Sequence, residues 1–260
     1  QGVACVERSR PSLWLVSSKV APVAAAIVAL AFALSAWRRR RGTPHLAPPP
    51  ATMRAVLATP DKRLAIESLA TPTPAASEIL IRVHATAVNR LDTVQRRGLT
   101  KPPPGVTPVL GLECAGTIVA VGNGVSKFRV GDEVLSLLSG GSYAEYAVAS
   151  VQTTMKKPRR LSFAEAASIP EAWLTAFQLV HLVAQVRAGE AVLIHAAASS
   201  VGLAAIQLVR EAGAIPIVTV GSHSKLDLCL KLGAVGGAIR HEGPWLERVR
   251  TLVPTAAGSR

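Results

Sequence analysis

The chain has 260 residues, 49% of them hydrophobic, enough to fill the core of one large domain or two smaller ones. Its formal charge of +13 is not gathered on one face: residues 1–53 carry +6 and the rest is scattered, while only 4% aromatic content leaves few platforms for stacking bases. Nucleic acid is therefore not an expected partner. Cys5, Cys114 and Cys229 are far apart and suggest neither a disulfide framework nor a zinc site. A reducing, cytoplasmic setting fits them.

The chain opens on a leader, residues 1–52. Eighteen uncharged residues, Val20 to Trp37, run directly into Arg38, Arg39, Arg40 and Arg41. About twenty apolar residues cross a hydrocarbon core, so this stretch is borderline for a membrane anchor, and Pro22 weakens it; as an anchor it would keep its arginines cytoplasmic. Its Arg-containing, acid-poor composition equally fits a mitochondrial presequence. A third reading takes it as upstream sequence that the mature protein lacks, because Met53-Arg54-Ala55-Val56 reads as the start of a first strand. Residues 43–52, with Pro44 and Pro48 to Pro50, form a linker in every case.

From Met53 to about Ser150 the chain shows short β-type runs punctuated by Gly and Pro: Arg54 to Ala58, Leu64 to Leu69, Ile79 to Val88, Gly116 to Val121, Glu133 to Leu137 and Tyr143 to Val148. A short helix is expected over Arg90 to Arg97, and the proline-rich stretch Thr100 to Pro108 excludes a central strand or helix. This predicts a mostly antiparallel β domain over residues 53–168. From Ser162 the period becomes helical. Strands then alternate with helices: Val192 to Ile194, a helix through Leu208, Ile215 to Val220, a helix over Ser224 to Leu232, a strand near Gly237 to Arg240 and a helix through Val253. Such alternation implies a doubly wound parallel sheet over residues 169–260.

The segment Val192 to Leu208 carries the most chemistry. A buried apolar strand breaks into Ala196, Ala197, Ala198, Ser199, Ser200 and Gly202, then restarts as an amphipathic helix. Small residues let a pyrophosphate reach the N–H groups at a helix N-terminus, where the dipole favours an anion. The full G-x-G-x-x-G spacing is absent. A strand–turn–helix packed with small residues therefore remains the alternative.

The body resembles the medium-chain dehydrogenase/reductase superfamily, in its zinc-independent quinone oxidoreductase branch. The likeness rests on Val88-Asn89-Arg90 with Asp92, Gln95 to Gly98, Pro102 to Gly105, Gly111-Leu112-Glu113, Gly131-Asp132, Gly140-Gly141 with Tyr143 to Tyr146, Ile169 to Phe177, and Val192 to Leu208. It implies a GroES-like β domain followed by a partial Rossmann domain, with NADPH between them and hydride passing to a quinone or another conjugated carbonyl. Reduction of 2-enals or enoyl thioesters is the close alternative; a non-catalytic binding or structural protein is the distant one. The resemblance puts Thr175, Ser199 and Val201 near the pyrophosphate or nicotinamide and Asn89 near the reacting ring. It adds Ala197, Ser200 and Gly202 to the phosphate turn, and it implies a homodimer for the full-length protein. No metal is expected, since Leu112 stands where zinc members of the superfamily carry histidine, and His84, His181, His195 and His241 have no partner at ligand spacing.

NADPH rather than NADH is expected from Gly221-Ser222-His223-Ser224-Lys225, where NAD enzymes place a carboxylate. Ser222 and Lys225 suit a 2′-phosphate, although Ser222 could simply cap a helix beside a solvated Lys225. Three positions depart from the family. Ser200 replaces a glycine whose φ could be positive, which predicts weaker cofactor binding. Thr100 replaces a substrate-side tyrosine, and Arg240 replaces a tyrosine, offering a cation to a phosphate instead. Relatives continue for three more strands, so the chain is expected to be an incomplete form of low activity.

Overall fold

In a computed structural model that describes residues 47–254, the first half of the fold follows from alternating burial along each strand. The leader stretch Val20 to Trp37 lies outside the described residues. Strand β1 (Thr52–Ala58) buries Met53 and Ala55 and pairs antiparallel with β2 (Leu64–Ala70). Strands β3 (Glu78–Thr86), β4 (Glu113–Val121), β5 (Glu133–Leu137), β6 (Tyr146–Ser150) and β7 (Thr154–Lys156) form a second antiparallel sheet in the order β6-β3-β4-β5-β7. Ile79, Ile81, Cys114, Ile118, Phe128 and Val134 fill its core. The β3–β4 register shifts twice, between Leu80 and Ile81 and between Val83 and Ala85, the local irregularity by which strands bend.

Strand β4 begins at Glu113 rather than Gly116, and two further features of this half differ from the expectation. Strand β6 begins at Tyr146 rather than Tyr143, because residues 143–145 turn back onto β1: the Val56 N–H donates to the Tyr143 carbonyl at 2.8 Å, and the Glu145 N–H donates to that of Arg54 at 3.1 Å. Strand β7 has three residues, too few to show an alternation in sequence. Helix α1 (Arg90–Arg96) lies where expected.

The second half begins with α2 (Phe163–Ala167), where the Ser162 hydroxyl accepts from the Glu165 N–H and the Glu165 carboxylate accepts from the Ser162 N–H. Pro170 opens α3 (Pro170–Phe177), at the helix position where its missing N–H costs nothing. A π-helical turn, Gln178–Val183, continues it. Strands β8 (Ala191–Ile194), β9 (Ile215–Val220) and β10 (Gly236–Ile239) pair in parallel in the order β10-β9-β8, linked by α4 (Ser200–Glu211) and α5 (His223–Lys231), with α6 (Trp245–Thr251) after β10.

Neighbouring residues of β9 face opposite layers. Val218 packs with Ile206 and Cys229 from α4 and α5, whereas Ile217 packs with Ala238 and with Val249 from α6. Helices therefore cover both faces of the parallel sheet, and an antiparallel β half precedes a doubly wound α/β half. The apolar run Val192 to Ile194 is not the fully buried strand its composition predicts: β8 is the edge of the described sheet, and Leu193 is 37% exposed. Among the described residues no helix is long and apolar enough to cross a membrane.

Candidate functional site

After β8 the chain turns at Ala196, whose φ is +50°, and enters α4 with Ser199 as its cap. The Ser199 hydroxyl accepts from the Gly202 N–H at 3.2 Å, satisfying one of the donors a helix leaves free at its start. Glycine is required at 202 by contact: a Cβ there would sit about 2.5 Å from the Ala197 carbonyl oxygen. Ala197 is fully buried, and its N–H donates to the Thr219 carbonyl at 3.1 Å, fastening the turn to β9. The sequence suggests that the strained position is Ser200. In the structure Ser200 is the first helical residue and exposed, and the positive φ falls on Ala196, which bears a Cβ there at a cost of about 1–2 kcal/mol.

This turn and the end of β9 enclose a cavity of about 420 Å³. Ser199, Lys225 and Arg240 line it together, as do His195, which the sequence offers only as a histidine without ligand spacing, and Thr219, which the sequence does not mark. The His195 Nδ1 lies 2.9 Å from the Thr219 hydroxyl, and its ring meets Trp245 edge-on at 5.7 Å. A second cavity of about 260 Å³ shares His195, Thr219 and Arg240 and adds His241 and Trp245. Neither lining contains a carboxylate. Val201, Thr175 and Ser222, also expected to hold cofactor, are not in its lining. Val201 is half-buried against the layer between α3 and α4, Thr175 sits on α3, and Ser222 begins α5, its hydroxyl making no capping bond and lying 3.2 Å from that of Ser224.

Asn89 and Thr100 are not brought to this cavity. Thr100 lines a smaller one, about 170 Å³, with Gln95, Lys101, Pro102 and Pro108. A further cavity, about 460 Å³, lies on the β half beside Glu78, Leu138 and Ala149 and holds none of the expected site residues.

Asn89 opens α1 and belongs to a polar cluster the sequence did not reveal. Its N–H donates to Asp92 Oδ2 at 2.7 Å, and its side-chain NH2 donates to Glu113 Oε1 at 2.7 Å. Glu113 Oε2 accepts from the Glu171 N–H at 2.9 Å, and the Tyr143 hydroxyl donates to Asp92 Oδ2 at 2.8 Å. Asp92 and Glu113 are buried, 3% and 1% exposed, and Asp92 Oδ1 has no partner. Burial pushes the Glu113 carboxyl above its ordinary value, and nearby Asp92 adds to this, while the bonds from Glu171 and Asn89 oppose it. Glu171 is raised by burial and then by Glu113 and Asp92; the Tyr143 phenol is raised by burial and its bond to Asp92. Gly111, at φ +97°, admits this arrangement, because a Cβ there would collide with Ser142 and Tyr143. The sequence did hold two signals: an acid opening an apolar strand at Glu113, and the cap-plus-three spacing of Asn89 and Asp92.

Residues 75–159 match the alcohol dehydrogenase GroES-like domain family. The quinone oxidoreductase of Rattus norvegicus is 37% identical over 182 residues, which are 69% of this chain and 55% of that protein. An NAD-dependent alcohol dehydrogenase of known structure is 36% identical with a TM-score of 0.71, over 77% of this chain and 67% of its own. The chain belongs to the medium-chain dehydrogenase/reductase superfamily. Escherichia coli quinone oxidoreductase, solved in complex with NADPH, is 30% identical with a TM-score of 0.69, over 77% of this chain and 62% of its own. The chain spans about half the length of the curated relatives it matches.

In this member of the superfamily Leu112 is buried between Gly111 and Glu113 and offers no donor to a metal. Among the described residues no three His, Cys, Asp or Glu side chains are grouped to hold a metal ion. The histidines are engaged by neighbours instead. His84 stacks on Phe163 at 4.3 Å, His181 lies against Phe177 at 4.7 Å, and His241 accepts from Arg240 Nε at 3.2 Å. The buried Cys114 thiol is pushed up to about 12, which leaves it an inert core residue.

Proposed function

We propose that the chain carries the cofactor-binding part of a zinc-independent oxidoreductase that uses NADPH to reduce quinones. One observation carries this reading: the cavity after β8 is lined by a hydroxyl and two cations, Ser199, Lys225 and Arg240, and by no carboxylate. An NAD site keeps an acid at the end of the second strand for the ribose hydroxyl. An acid there would repel a 2′-phosphate, whereas an ammonium and a guanidinium attract it.

The residues fit the cofactor. Ser199 and the start of α4 suit the pyrophosphate, with Ala197, Ser200, Val201 and Gly202 shaping the turn and Thr175 the adjoining helix. Ser222, Lys225 and Arg240 suit the 2′-phosphate. When bound, NADPH supplies the hydride; the protein supplies position and electrostatics. Asn89 and Thr100, in the β half, are assigned to the substrate side, where a threonine leaves more room than an aromatic wall.

Titration of NADPH fluorescence tests the reading. Lys225→Glu is expected to weaken NADPH binding at least tenfold and to leave NADH within about threefold, a loss matching that of one charge-assisted contact. Equal effects on both cofactors would contradict the assignment of Lys225. Faster turnover of a 2-enal than of an ortho-quinone would move the substrate class to conjugated enals, and activity lost to a chelator and restored by zinc would remove the zinc-independent assignment.

A further inference from the structure

The cluster around Glu113 lies apart from the cofactor cavity, and its geometry makes one carboxylate a joint between two elements. Glu113 opens β4, yet it is 1% exposed and followed by the fully buried Cys114 and Ala115. An acid in such a place is tolerated only if its oxygens are bonded. Each has one donor, and the donors come from different parts of the fold. Oε1 takes the Asn89 side chain at the start of α1; Oε2 takes the N–H of Glu171, in the first turn of α3. Asn89 is fixed in turn by its N–H on Asp92, the acceptor that Tyr143 also uses. An ionised carboxylate only accepts, so the Asn89 amide must turn its NH2 toward Glu113 and its oxygen away.

We propose that Glu113 is a positioning residue: it sets the orientation of the Asn89 amide and holds it in register with the start of α3, the helix that bears Thr175. This rests on the proposed function in assigning Asn89 to the substrate side. The bonds themselves do not. Glu113 thereby couples the substrate side of the β half to the cofactor half without touching either ligand.

Four versions of the full chain test it: unsubstituted, Glu113→Gln, Asn89→Asp and the double variant. Asn89→Asp sets two acids face to face, and Glu113→Gln keeps both of its bonds only if the Asn89 amide turns over, with its oxygen toward the new NH2. In the double variant the new amide donates to the new carboxylate and its carbonyl still accepts from Glu171, so the bond returns with donor and acceptor exchanged. Each single change is expected to lower the urea midpoint, and the double variant to recover most of that loss. Asn89→Asp is also expected to move the backbone amide resonance of Glu171, which is bonded to Glu113 and not to Asn89. Losses that simply add, or a Glu171 resonance untouched by Asn89→Asp, would overturn the inference. Where quinone reduction is measurable, kcat is expected to fall about tenfold in each single variant and to recover in the double, with KM for NADPH changed less than about threefold. If the unsubstituted chain reduces no quinone, the proposed function fails by itself, and the unfolding and resonance data still decide the role of Glu113.

Discussion

The cavity after β8 and the cluster around Glu113 treat charge in opposite ways. In the cavity wall Lys225 is exposed, and among the described residues neither it nor Arg240 takes part in an ion pair. Around Glu113 the charges are negative, Asp92 and Glu113 are buried, and three of their four carboxylate oxygens are bonded to a neighbour, Asp92 Oδ1 being the exception. Cations left unpaired at an open turn are available to an incoming anion; carboxylates bonded inside a junction are available only to the fold. The contrast separates a surface whose cations are open to an anion from a joint whose acids are held by the fold.

Four substitutions bear on that contrast, in order of decreasing effect. Gly202→Val drives a side chain into the Ala197 backbone, so the turn that shapes the cavity cannot close. Destabilisation of about 2–3 kcal/mol is expected from the urea midpoint; an unchanged midpoint would mean that the turn and α4 are not in contact. Next is Lys225→Glu, with its tenfold selective loss of NADPH affinity.

The third concerns pH. Glu113 and Glu171 have folded pKa values raised above their ordinary 4.5. Between that value and the raised ones the folded state binds more protons than the unfolded state, so stability is greatest below the ordinary pKa and falls as pH rises through the folded values. Glu171→Gln is expected to flatten this decline, measured by urea unfolding from pH 4 to pH 8. A decline of the same slope would place its origin elsewhere. The smallest effect is at Ala196. Replacing it by glycine relieves a positive φ at some cost in unfolded-state entropy, for a net gain of about 0.5 kcal/mol. A loss of stability on that change would show that the Ala196 methyl packs rather than strains.

Much of the fold was legible because its elements keep a clear period. Glu133–Leu137 and Ile215–Val220 have the bounds their apolar runs suggest, and the small residues between β8 and α4 mark a turn. The sequence could not say which small residue adopts the positive φ: the choice between Ala196 and Ser200 depends on how the turn is fastened to Thr219. Nor could it show that β8 lies at a sheet edge, since edge and centre are properties of the assembled sheet. The cavity was partly legible, because Ser199, Lys225 and Arg240 each follow a strand of one parallel sheet. The Glu113 joint was not, because Asn89, Asp92, Tyr143 and Glu171 meet only after the β half has closed.

Calorimetric titration of the chain with 2′,5′-ADP and with 5′-AMP isolates the phosphate that the cavity is proposed to recognise. Binding of 2′,5′-ADP at least tenfold tighter than 5′-AMP, with the preference abolished by Lys225→Glu, is the expected result. Equal affinities for the two nucleotides would contradict the assignment of Ser199, Lys225 and Arg240 to an NADPH site.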